Sequence, residues 1–155
     1  MAQIKMINVQ KFFGQNQVLQ DLNLTIEDGE FVVMLGQSGG GKTTALRAIA
    51  GLETITSGKI LIDGVEVQDR KAADRDIAFV FQSFSLYPHM TVRENITFPL
   101  RAVRMDKTAR DKAVNETAEI LQITEHLDRK PSSLSGGDMQ RVAIGRALVR
   151  RPQAL

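Results

Sequence analysis

The sequence contains no cysteine, which excludes a disulfide framework and a thiolate metal site and permits a reducing compartment. It also lacks long apolar runs. The longest, Phe31–Leu35, falls far short of the ~20 residues that cross a bilayer, so any membrane association has to come through a partner. Met1 to Gln10 has no basic-then-apolar secretory pattern. No repeat or low-complexity tract occurs. The net charge of +2 is too small and too scattered to point to nucleic acid. Of the two histidines, His89 has no Cys or His companion nearby and is not read as a metal ligand. What remains is an ordinary composition, 43% hydrophobic and 25% charged, over 155 residues, a length that suits one domain with its own core.

Leu22-Asn23-Leu24-Thr25-Ile26 alternates apolar and polar residues, as a half-buried strand does. Glu27 to Glu30 reads as a turn, and Phe31–Leu35 as a strand buried on both faces. Good helix formers then run from Thr43 to Leu52, with an end at Gly51 or just beyond. Asp63-Gly64 between Ile60–Ile62 and Val65–Val67 predicts a two-residue hairpin, because glycine accepts the positive φ of such a turn. Ile77–Phe81 reads as a short buried parallel strand. Helical spacing covers Lys107–Ile123, and a further helix starts at Ser135, with Arg150 and Arg151 suiting its negative end and Pro152 stopping it. The fold class is α/β.

Gly36-Gln37-Ser38-Gly39-Gly40-Gly41-Lys42-Thr43 satisfies every defined position of the phosphate-binding pattern G-x-x-x-x-G-K-[ST]. Glycines let consecutive N–H groups curl around phosphates, and the helix that follows points its positive end at the same charge. Lys42 reaches β- and γ-phosphates, and the Thr43 hydroxyl can ligate Mg²⁺. Thr44 completes the candidate ATP-binding set on the helix side. A predicted strand before the loop and a helix after it supply the context that this pattern requires.

Leu134-Ser135-Gly136-Gly137, followed by Gln140-Arg141-Val142-Ala143-Ile144, resembles the signature motif of ABC ATPases. The resemblance covers the whole chain and implies a P-loop NTPase core with an N-terminal antiparallel β subdomain (about 1–30 and 55–70). It also implies a P-loop unit (31–52), a Q-loop strand (77–82) and a helical subdomain (88–150). It further implies that Ser135, Gly136, Gly137 and Asp138 close over the ATP of a second subunit, in a dimer of like chains. Gln82 falls where the family has its Q-loop glutamine, which contacts Mg²⁺ and the attacking water. Phe13 stands where an aromatic stacks on adenine, a role that needs only a flat π face, and Val18 joins it at the nucleotide.

Arg75 to Gln82 and Leu86 to Asn95 look like bacterial import ATPases serving sugars, glycerol-phosphate and polyamines. In that group the stretch Tyr87, Pro88, His89, Met90 lines a groove for a coupling helix of the permease. The implied location is cytoplasmic, at the inner face of the membrane, with membrane contact only through the permease and no nucleic-acid partner. A non-transport ABC ATPase and a nucleotide-binding module without catalysis are the competing readings. No guanine-specific Asn-Lys-x-Asp stretch is present. Gln37, Gly40, Gly145 and Asp138 depart from the usual pattern. Gly145 costs roughly 1 kcal/mol of helix propensity against Ala, and Asp138 places a negative charge near a partner's ATP. The Walker B Asp, the general-base Glu and the switch His of the family have no counterpart here. The chain is therefore expected to be an N-terminal portion, incomplete at its C-terminus, with no catalytic base and no turnover of its own.

Overall fold

The computed structural model describes residues 2–103 and 105–155. The chain divides into two compact units. The first holds the residues up to Ile77 together with Ala154, and the second holds 78–153 and Leu155.

In the first unit, strands β1 (Ile4–Phe13), β2 (Asn16–Ile26), β3 (Ser57–Ile62) and β4 (Val65–Glu66) form an antiparallel sheet in the order β2-β1-β3-β4. Ile4 is central, paired with Ile26 on one side and Ile62 on the other. Ile4 and Met6 face the core with the period of two that a strand imposes. The register then shifts at Asn8, whose φ is 48°, so that Val9 and Lys11 are the buried residues beyond it. The β3–β4 turn has the expected chemistry, with φ of 48° at Asp63 and 75° at Gly64. Helix α1 (Lys42–Ala50) packs Ala45, Ala48 and Ile49 into the same core as Met6, Val9, Ile60 and Ile62.

Gly51, in the left-handed conformation, ends α1. Arg75 completes that end. Its guanidinium, 4% exposed, donates to the carbonyls of Ala48 (2.7 Å), Ile49 (3.0 Å), Gln68 and Arg70. Carbonyls left over at a helix C-terminus need such donors, and a cation suits the negative end of the dipole.

Two strand expectations fail. Phe31–Leu35 is not a strand, and Phe31 and Leu35 are 90% and 89% exposed rather than buried. Ile77–Phe81 contributes one parallel bridge, Ile77 to Ala154, and no ladder. A strand exists through the hydrogen bonds of its neighbours, and among the described residues nothing pairs with 31–35. Apolar composition alone cannot supply a partner.

The second unit is helical. Helix α2 (Val92–Thr97), which the hydrophobic pattern did not reveal, starts at a capping box. The Thr91 hydroxyl accepts from Glu94 N–H while the Glu94 carboxylate accepts from Thr91 N–H. Helices α3 (Lys107–Ile120) and α4 (Gly136–Leu148) follow, the first with Asp106 and the second with Ser135 as N-cap. Helix α4 ends at Leu148, two residues before the expected arginines. Val92, Ile96, Val114, Ala118, Ile123 and Val142 form the core of the unit.

Gly145 sits inside this core. A Cβ there would lie 3.0 Å from Leu121 Cδ1, 3.4 Å from Ile96 Cδ1 and 3.5 Å from Thr117 Cγ2. The glycine is therefore a close-approach point and not simply a propensity loss. Gly145→Ala gains about 1 kcal/mol of helix propensity but forces a methyl group among side chains from two other helices. Overpacking of that kind costs roughly 1–3 kcal/mol. The expected net result is a destabilisation of about 1 kcal/mol, read as a lower urea midpoint with an unchanged slope; a raised midpoint would contradict it.

Candidate functional site

Residues 36–41 form an irregular loop that leads directly into α1. Gly39 and Gly41 have φ of 81° and 78°, a region that side chains with a Cβ enter at a cost. At Gly41 space matters as much as torsion: a Cβ would stand 2.8 Å from the Val18 carbonyl oxygen and 2.9 Å from Leu19 Cδ2. The loop is thus pressed against β2, which brings the predicted Val18 beside the predicted Gly41. Gly40 N–H closes a tight turn on the Gln37 carbonyl at 3.1 Å. The α1 ladder begins with Ala45 N–H to Gly41 O at 2.8 Å, so the N–H groups of Lys42, Thr43 and Thr44 precede the first intrahelical bond.

The Lys42 ammonium curls back over the loop and donates to the carbonyls of Gly36 (2.8 Å) and Gln37 (2.6 Å). An ammonium has three N–H donors, so one remains for an anion in the same cradle. Thr43 is exposed on the first turn of α1. The arrangement suits a triphosphate with Mg²⁺. That ion keeps several waters and takes few protein ligands beside phosphate oxygens, which a single hydroxyl can satisfy. Among the described residues no cluster of three His, Cys, Asp or Glu offers an all-protein metal site.

Phe13 ends β1 and is 48% exposed, as a stacking surface has to be. Sequence reasoning overlooked the residue that steadies it. The Lys11 ammonium lies 4.6 Å from the Phe13 ring centroid and is held from behind by Glu53 Oε1 at 2.7 Å. The Lys11 hydrogen bond draws the Glu53 carboxyl below its ordinary range. The only signal in the sequence is a lysine two residues before an aromatic, which puts both on one strand face.

The remaining candidate residues belong to the helical unit. Gln82 is exposed, at the start of the segment that leads to Tyr87. Asn95, completely buried, organises the loop around Tyr87, Pro88, His89 and Met90. Its Oδ1 accepts from Tyr87 N–H (2.8 Å), and its Nδ2 lies within reach of the carbonyls of Tyr87 (3.1 Å), Met90 (3.3 Å) and Thr91 (2.9 Å). The Tyr87 ring leans on Phe98 at 4.6 Å and on His89 at 6.2 Å. Tyr87, His89 and Phe98 thus form one aromatic cluster.

Ser135, Gly136, Gly137 and Asp138 open α4. The Ser135 hydroxyl accepts from Asp138 N–H (3.2 Å) and donates to Asp138 Oδ2 (2.6 Å). Arg141 donates to the other carboxylate oxygen, Oδ1, and His126 Nε2 stands 3.8 Å from Oδ2. The negative charge expected to face a partner's ATP is therefore met inside its own helix turn. The Ser135 hydrogen bond and then the Arg141 one hold the Asp138 carboxyl far below the usual carboxylate range, at about 2. His126 Nδ1 is buried and has no hydrogen-bond partner among the described residues.

A carboxyl with a depressed folded-state pKa contributes stability that is present above its unfolded value, ~3.9, and is lost as pH falls through the folded one. Carboxyl NMR titration of Asp138 is expected to give a midpoint near 2, and Ser135→Ala to raise it. A midpoint near the unperturbed value would contradict the arrangement.

The family model described as ABC transporter matches residues 19–155. A trehalose import ATP-binding protein, SugC of Mycobacterium tuberculosis, is 56% identical over 99% of this chain and 39% of its own length. The sn-glycerol-3-phosphate import ATP-binding protein UgpC of Bartonella bacilliformis is 50% identical over 99% of the chain and 45% of its own length. The chain thus spans about two fifths of the length of these curated relatives. Among solved structures, the dimeric MJ0796, a bacterial ABC transporter cassette, superposes with a TM-score of 0.85 at 37% identity, covering 96% of this chain and 70% of that one. The same cassette in a post-hydrolysis state bound to ADP and Pi matches equally well. With the family model matched over residues 19–155 and the fold shared with a cassette of that family, the chain belongs to the ATP-binding cassettes of the ABC transporter family.

Proposed function

We propose that this chain is the ATP-binding part of a subunit that powers import of a solute across a bacterial membrane. The observation that carries the reading is the loop 36–43: three unpaired N–H groups, a lysine with a donor to spare and a threonine hydroxyl converge at one helix start. ATP with Mg²⁺ is the ligand, Gly36 to Thr44 hold its phosphates, Thr43 holds the metal, and Phe13 with Val18 takes the base. Magnesium bound there would offset charge on the phosphates. The residues of this chain orient them.

Gln82 is proposed as the residue that lines up the attacking water, and Ser135 to Asp138 as the group that meets the ATP of a second copy. The dimer reported for the cassette of similar fold supports that pairing. The surface around Tyr87, Pro88, His89 and Met90 is proposed to receive the permease. Membrane contact through that partner is part of the same proposal, and among the described residues no helix is long and apolar enough to cross a bilayer. The relatives are named for import of trehalose and sn-glycerol-3-phosphate, which favours a sugar or polyol phosphate as cargo. Location at the cytoplasmic face of the membrane follows from the same reading. A general base is not among the residues assigned here, so these 155 residues by themselves are expected to bind ATP without turning it over.

Calorimetric titration with Mg-ATP tests the proposal. Lys42→Ala is expected to weaken binding by about 2–4 kcal/mol, the scale of a charge-assisted contact, while the circular dichroism spectrum stays the same. Unchanged affinity in the variant would sink the assignment. In the full-length protein assembled with its permease, the same substitution is expected to abolish phosphate release.

A further inference from the structure

Residues 83–87 follow the proposed water-positioning Gln82 and precede the aromatic surface, and they adopt a conformation that their sequence does not favour. Phe84 and Ser85 are consecutive, neither is glycine, and both are left-handed, with φ of 60° and 48°. Bulky residues enter that region only when their surroundings compel it. The compelling group is on α4. Arg146 Nη1 donates to the Ser85 carbonyl at 2.7 Å and Nη2 to the Phe84 carbonyl at 3.0 Å, while the guanidinium carbon lies 5.4 Å from the Tyr87 ring centroid. One planar fork thus grips two successive carbonyls and the ring just beyond them, a geometry that an ammonium cannot reproduce. Asn95 clamps the other end of the loop at Tyr87, so Arg146 and Asn95 together leave it little freedom.

Arg146 lies eleven residues after Ser135, on the helix that Ser135 caps. We propose that Arg146 is a positioning residue for ATP hydrolysis: it ties the segment following Gln82 to the signature helix, so that Gln82, the aromatic surface and Ser135 shift together. Arg146 touches no reacting atom and acts through Gln82. The inference deepens the proposed function and rests on it for the role of Gln82.

The test uses the full-length protein with its permease and two variants, Arg146→Lys and Arg146→Met. The first keeps charge and the second keeps the packing of the stem, and thermal melting confirms that each is folded. Both are expected to lower kcat about tenfold with KM for ATP within about twofold, and the loss is expected to vanish when Gln82 is already Ala. Chymotrypsin is expected to cut after Phe84 and Tyr87 faster in both variants. Full additivity with Gln82→Ala, or a change confined to KM, would overturn the positioning role; unaltered cleavage would overturn the clamp itself. If Gln82→Ala alone leaves turnover intact, the role given to Gln82 fails, and the positioning role of Arg146 fails with it, whereas cleavage still decides whether the segment is held.

Discussion

The missing side chain at residue 41 is the constraint on which the half of the molecule carrying the glycine-rich loop depends. With a Cβ at that position, the loop would collide with the Val18 carbonyl and Leu19, and α1 would have to move away from β2. Without it, backbone meets backbone, and the N-terminus of α1 stands at a defined place beside the sheet. The consequences run in sequence. The unpaired N–H groups of the first helical turn are gathered at one point, Lys42 folds over the same point, and Val18 is carried to its edge. The far end of α1 is secured by the Arg75 guanidinium on the last carbonyls, so the helix is held at both ends while its apolar face packs on the sheet.

In the helical unit the organising groups are polar side chains that satisfy loop backbone. Asn95 serves one N–H and faces three carbonyls, Arg146 serves two carbonyls, and Ser135 and Thr91 cap helices. Loops of irregular conformation carry backbone groups that no ladder satisfies, and burying them unpaired costs about 1–3 kcal/mol each. A side chain with several donors or acceptors settles several such groups together and defines the loop in doing so. Loops held this way depend on a few side chains for their conformation.

Local patterns were legible in proportion to how local their physics is. The Asp63-Gly64 hairpin, the start of α4 at Ser135 and the end of α1 at Gly51 each depend on the torsions and caps of a few neighbouring residues. Helix α2 escaped because six residues are too few for a hydrophobic period, although its capping box was written in Thr91 and Glu94. Lys11 escaped because its partner Glu53 lies forty-two positions away. The departure at Asp138 was legible as a residue type, but its intrahelical partners Ser135 and Arg141 were not read from the sequence.

The sequence by itself determined the class of fold and the family, and it marked out the phosphate-loop pattern on which the proposed site rests. Those rest on residue types within spans of a few positions, where spacing and backbone torsion leave little choice. Only the tertiary structure decided that Phe31–Leu35 is not a strand, that a side chain at residue 145 would press on Leu121 and Ile96, and that Arg146 grips the backbone of residues 84 and 85. A ladder, a packing gap and a hydrogen-bond acceptor are all supplied by distant segments. What a residue can do is set by its own atoms, and what it does is set by the neighbours that folding brings to it.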